Sequence, residues 1–173
     1  MKKINFILVS TIALLFTSCN DNTITEKNIV GDWKWITVEE HVLDADITIL
    51  RHITNDPEKL VDTSGDVLMN TYFNAGTLHL KEDGTGSVFG DDGSWWLSKD
   101  EYMRIRWSMS DDKLIIIDDE SESITYTIKS LNGNTLILSD FYSEAIKEPL
   151  EGEEEDIIGK VIKYRFDFRL ERY

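Results

Sequence analysis

Near its end the chain alternates strictly: Ile162, Tyr164, Phe166, Phe168 and Leu170 are interleaved with Lys163, Arg165, Asp167 and Arg169. Successive residues of an extended chain point to opposite faces, so this stretch has one apolar and one charged face, as a half-buried antiparallel strand requires. The same period of two recurs upstream. Met103, Ile105, Trp107 and Met109 alternate with Arg104, Arg106 and Ser108, and Ile124, Tyr126 and Ile128 alternate with Thr125, Thr127 and Lys129. Turn residues separate the strands at short intervals. Asn132-Gly133 joins residues 123–130 to 135–139, and both residues tolerate the positive φ of a tight hairpin. Gly84 and Gly86 lie between Leu78 and Leu80 on one side and Val88 and Phe89 on the other. Residues 113–117 are bounded by Ser110-Asp111-Asp112 and Asp118-Asp119-Glu120. With a first strand over residues 33–40 the count reaches eight, and the short connections make each strand the antiparallel neighbour of the next. Closing such a meander removes its exposed edges. The predicted fold is therefore all-β: an up-and-down, eight-stranded barrel with room inside for side chains or one small ligand.

Residues 44–74 fit this pattern least. They mix Ile47, Ile49, Leu50 and Ile53 with Asp56-Pro57-Glu58 and Ser64-Gly65-Asp66. Because a long structureless loop is unusual in a compact domain, they read as a connection with some added strand or helical turn, placed across a barrel mouth.

The start of the chain is of another kind. Lys2 and Lys3 precede a mostly apolar run over residues 4–16, then Thr17, Ser18 and Cys19. This is the layout of a secretory signal, and the run falls short of the roughly 20 residues of a membrane-spanning helix. Leu15-Phe16-Thr17-Ser18-Cys19 resembles the lipobox of bacterial lipoproteins, which implies removal of residues 1–18 and a lipid on Cys19. Cys19 is the only cysteine, so an intramolecular disulfide is excluded, and lipidation accounts for an otherwise lone exported thiol. Residues 19–27 read as a polar tether and residues 28–173 as the domain. The expected location is the cell envelope, lipid-anchored in the outer membrane of a diderm bacterium.

The net charge is −15, and the loss of Lys2 and Lys3 makes the mature chain more negative still. A surface of that sign repels nucleic acid and anionic lipid. It suits solubility, and it also suits a cationic ligand or a basic envelope protein as partner.

Ile29-Val30-Gly31-Asp32-Trp33 places a Gly-x-Trp at the start of the first strand, which resembles the signature of lipocalins and of small bacterial lipocalin-like lipoproteins. The hairpin sequences over residues 77–86, 106–116 and 126–136 are similar to successive hairpins of that group. The resemblance covers roughly residues 29–138 and the last strand. It implies structural roles for Gly31 and Trp33, with Trp33 plugging one barrel end against the last strand and the other end open to a pocket.

Catalysis needs a nucleophile, a base and an orienting group held together, and no such set stands out. His41, His52 and His79 are far apart and lack metal-like spacing. The carboxylate groups at 91–92, 111–112, 118–122 and 151–156 lack the ligand order of a calcium loop. The chain reads as a non-enzyme without metal or cofactor. Its aromatics suggest a binding role: Trp95, Trp96, Tyr102 and Trp107 are candidate contacts for a small apolar or amphipathic ligand. The alternative is a filled barrel that serves as an interaction or scaffold subunit of an envelope complex.

Overall fold

The computed structural model describes residues 24–44, 47–54, 66–73, 76–91, 97–149 and 157–173, with the backbone alone at 47, 48 and 73. Cys19, Trp95, Trp96 and the acidic residues 151–156 lie outside the described residues. In chain order the elements are α1 (Glu26–Ile29), β1 (Gly31–Leu43), α2 (Ile47–Ile53), β2 (Val67–Phe73), β3 (Gly76–Leu80) and β4 (Thr85–Gly90). β5 (Tyr102–Ser110), β6 (Lys113–Asp118), β7 (Ser123–Asn132), β8 (Thr135–Ala145) and β9 (Val161–Arg172) follow.

From β3 to β9 each strand pairs antiparallel with the next, and β9 returns to pair with β1. The other edge of β1 is shared: β3 holds residues 31–34 and β2 holds residues 37–42. β2 and β3 thus follow one another along a single edge and act as two pieces of one strand. The result is a closed, eight-stranded, up-and-down barrel. Its eight positions are the eight strands read from the sequence, and β2 is the strand added by residues 44–74.

The described inward side chains pack on one another inside the barrel. Trp33, Leu78, Leu114, Leu136, Leu138 and Leu170 have no exposed surface. Phe168 stands edge-on between Trp35, at 5.6 Å between ring centres, and Tyr126, at 5.5 Å. A bulge between Trp35 and Thr37 in β1 keeps Val38 on the same inner face as Trp33 and Trp35 despite the odd spacing.

One end of the barrel is plugged. The Trp33 Nε1–H donates to the Ile29 carbonyl of α1 at 2.8 Å, and the Arg172 guanidinium lies over the Trp33 ring at 4.6 Å. Arg172 also donates to the carbonyls of Asn28 and Val30. Gly31, which leads from α1 into β1, has φ of 143°, a region that side chains disfavour. Ile24 packs against this core, so the folded unit includes residues 24–27, which composition alone assigns to the tether. Every residue of both apolar clusters lies within residues 24–170. A chain beginning at Asn20 therefore keeps each described element and both described clusters.

At the opposite end four strands outrun the rest. β7 accompanies β8 only as far as Ser139, whereas the β8–β9 ladder continues to the Ala145–Val161 pair. Together β2, β1, β9 and β8 form a sheet that projects past the mouth. The far end of its inner face is covered by α2: Val42 and Ile162 pack with Ile49, Ile146 and Ile157 in a second apolar cluster.

Where the barrel wall is tightest, β4 has a glycine. A Cβ on Gly86 would stand 2.2 Å from the His79 carbonyl oxygen and 3.2 Å from the Ile105 side chain. Neither the backbone of β3 nor the inward Ile105 can yield without opening a ladder. Gly86→Ala is expected to destabilise the fold by about 1–3 kcal/mol, the usual cost of overpacking, read as a lower urea midpoint with an unchanged slope.

Candidate functional site

Between the packed barrel core and the cluster under α2, the inner face of the projecting sheet is partly exposed among the described residues. Its residues are placed by register. Continuing from Leu136 and Leu138, the inward positions of β8 are Asp140, Tyr142 and Glu144; continuing from Phe168, those of β9 are Phe166, Tyr164 and Ile162. β1 contributes Glu40, and β2 contributes Asn70 and Tyr72.

Tyr142 and Tyr164 are cross-strand partners whose rings stack at 6.1 Å, and Tyr164 stacks on Phe166 at 6.4 Å with planes 19° apart. Three nearly parallel rings thus form a row. Tyr142 is 55% exposed, Tyr72 is 38% exposed, and Tyr164 and Phe166 are half-buried.

Carboxylates flank the row on both sides. Glu40 accepts from Asn70 Nδ2 at 2.7 Å and from the Tyr72 hydroxyl at 3.0 Å. Glu144 accepts from the Tyr164 hydroxyl at 3.0 Å. Burial, then the hydrogen bond to Glu144, then the charges of Glu144 and Glu40 push the Tyr164 hydroxyl far above the ordinary phenol range. Tyr72 is raised by burial and by Glu40, and the deeply buried Tyr126 by burial and by Asp140. All three phenols therefore stay protonated, and Tyr72 and Tyr164 act as donors that fix the carboxylates in place.

On the outer face of the same strands lies an ion network. Asp167 receives Lys129 Nζ at 2.9 Å, Arg165 Nε at 3.1 Å and the hydroxyl of fully buried Ser139. Burial pushes its carboxyl up, but these donors together outweigh it and hold it below the usual carboxylate value. Glu39, His41 and Asp167 each bring a potential metal-ligand atom within 4.8 Å of the others. Lys129 and Arg165 already occupy the Asp167 oxygen that would be needed, and two cations at that point repel a third, so the trio belongs to the network. His41 Nε2 is buried without a hydrogen-bond partner, 3.5 Å from Glu39 and 3.7 Å from Asp167.

Of the four contact residues singled out from the sequence, Trp95 and Trp96 lie outside the described residues, and Tyr102 and Trp107 lie on opposite faces of β5. Trp107 is 6% exposed and belongs to the core at the plugged end, where its Nε1–H is shared by the carbonyls of Lys81 and Thr85. There it borders a groove of about 410 Å³ lined also by Glu26, Lys27, Val30, Glu82 and Gly84. With its one donor engaged and little ring surface showing, Trp107 offers a ligand less than the three rings at the mouth. Tyr102 points outward at the start of β5 and is 61% exposed. His79 lies on the outside near the plugged end, bonded to Asp32 and Thr77.

The sequence assigns Tyr164 and Phe166 to the apolar face of the last strand and Glu144 to an acidic segment suited to a basic partner, but does not single out Tyr72, Tyr142, Glu40 or Asp140. The available signal was the spacing of Asp140, Tyr142 and Glu144, which continues the inward parity of Leu136 and Leu138.

The family model of the lipocalin-like domain matches residues 29–138, from the Trp33 plug to the inward Leu138 of β8. Comparison with curated proteins and with solved structures gives no match. Domains of this family are characteristically non-catalytic carriers, and the barrel is consistent with small-molecule binding. With well over half of its length matched, the chain belongs to the family of lipocalin-like domains.

Proposed function

We propose that this chain is a lipid-anchored, non-enzymatic binding protein of the cell envelope that holds a small amphipathic molecule on the open face at its barrel mouth. The row formed by Tyr142, Tyr164 and Phe166 carries the reading: it is a run of stacked rings, more than half exposed at Tyr142 and half-buried at the other two, that joins two packed apolar clusters. The anchor rests on Cys19, the lone cysteine after a signal-like leader.

Intrinsic fluorescence of the chain from Asn20, titrated with short-chain amphipaths, tests the binding half. Tyr164→Ala and Phe166→Ala are expected to weaken binding at least tenfold, while Glu82→Gln in the groove leaves it unchanged. Binding that follows the groove variant, or no binding at all, would overturn the reading. Incorporation of labelled palmitate, lost in Cys19→Ser, tests the anchor.

A second reading is supported by the β8 edge. Residues 140–145 pair only with β9 among the described strands, and exposed Phe141 and Tyr142 lie there. An edge of this kind suits an interaction subunit that meets a basic envelope partner. Recovery of such a partner from membranes at low salt and its loss at high salt is the expected sign.

A further inference from the structure

The two faces of the projecting sheet treat their carboxylates differently. On the outer face Asp167 is paired with Lys129 and Arg165, Asp66 with Arg165, and Asp44 with Lys163. On the inner face Glu40, Asp140 and Glu144 have no described lysine or arginine partner. Their contacts are hydroxyl, amide and backbone donors: Tyr72 and Asn70 on Glu40, Tyr164 on Glu144, and the Phe141 N–H on Asp140. Among the described residues of this sheet, lysine and arginine partners for carboxylates occur on the outer face alone.

The location of the three carboxylates matters as much as their lack of cations. Glu40 and Asp140 are the direct cross-strand neighbours of Phe166, one from each side. Glu144 is bonded to the hydroxyl of Tyr164, and Glu40 also acts on that hydroxyl electrostatically. Negative charge therefore surrounds stacked rings whose faces are themselves electron-rich, and the carboxylates are held by tyrosine hydroxyls before anything binds. Rings and carboxylates together attract a positive group that has shed part of its water, and repel an anion of the same shape.

We propose that the occupant of this face is an organic cation with an apolar body, such as a quaternary or primary amine on a short chain or ring. The positive head sits among Glu40, Asp140 and Glu144, and the body lies along the rings of Tyr142, Tyr164 and Phe166. This rests on the reading of the mouth as the binding site and adds the sign of the ligand.

Calorimetric titration of the chain from Asn20 with octyltrimethylammonium, octanoate and octanol at one ionic strength separates the two claims. The cation is expected to bind at least tenfold more tightly than either other probe. Glu40→Gln with Glu144→Gln should reduce its affinity at least tenfold and leave octanol unaffected. Glu26→Gln with Glu82→Gln makes the same change in net charge at exposed sites at the plugged end, and should leave the cation's affinity unchanged. Octanoate or octanol binding as tightly as the cation would overturn the charge preference and leave the mouth as an amphipath site. An equal loss in the control pair would reduce the effect to overall negative charge and overturn it as well. No binding by any probe would overturn both claims. Urea midpoints within error of the parent chain establish that each variant is folded.

Discussion

Trp33→Ala is expected to destabilise the barrel by about 3–5 kcal/mol, the range for deleting a large buried aromatic, which is a large part of the margin of a typical domain. The side chain has no exposed surface, so the whole indole volume becomes a cavity at the plugged end. Three other contributions fall with it. The Ile29 carbonyl loses its donor, the Arg172 guanidinium loses the ring beneath it, and α1 loses the residue against which it is docked. Trp33→Phe separates these effects: it refills most of the cavity but restores no N–H, so its cost should be closer to that of one lost buried hydrogen bond, about 1–2 kcal/mol. Urea unfolding followed by far-ultraviolet circular dichroism reads both. A loss below about 1 kcal/mol for the alanine variant would show that the plug is not needed to close the barrel.

Asp167→Asn is expected to cost about 2–4 kcal/mol at pH 7, because it leaves Lys129 without its carboxylate and Arg165 with Asp66 alone in a partly buried network. The dependence on pH follows from the carboxyl being held below its ordinary value. Such a group contributes its full stability above the unfolded-chain value of about 3.9, and that contribution is lost as pH falls through the lower value of the folded state. The gap between parent and variant should therefore be complete at neutral pH and close below about pH 4. A gap of constant size down to pH 2 would mean that shape, and not charge, sets the cost. Ser139→Ala supplies an independent check, since it removes one donor, leaves both cations and should shift the acid limb to higher pH.

The barrel was legible because its wall obeys one rule: inward residues are apolar and outward residues are polar. β5, β7 and β9 show that rule in full, and the turns at Gly84 and Gly133 mark where it reverses. The rule fails past the mouth, and there the reading fails with it. Inward positions of β8 beyond Leu138 are Asp140, Tyr142 and Glu144, which look like solvent-side residues, so the strand was read as ending at Ser139. β1 was shortened for the same reason, because Glu40 sits inside and His41 outside. β2 was hidden by a bulge between its pairings with Glu40 and His41, which breaks the alternation, and by a supporting helix, α2, of only seven residues. Of the tryptophans that the sequence offers as contacts, Trp107 is core and Trp95 and Trp96 lie outside the described residues; Trp33 is the plug that its position implies. The surface that remains open is built from tyrosine, whose hydroxyl can hold a carboxylate while its ring stays available.

The first helix and the mouth lie at opposite ends of the barrel. Ile24, already packed on the plugged end, follows Cys19 by five positions, which an extended chain spans in at most roughly 18 Å. A lipid on Cys19 would therefore hold the Trp33 end against the bilayer and aim the Tyr142–Phe166 face away from it. On the proposed anchor, a carrier oriented in this way would take its cargo from the aqueous compartment, and exchange with a neighbouring protein would happen on the side remote from that membrane.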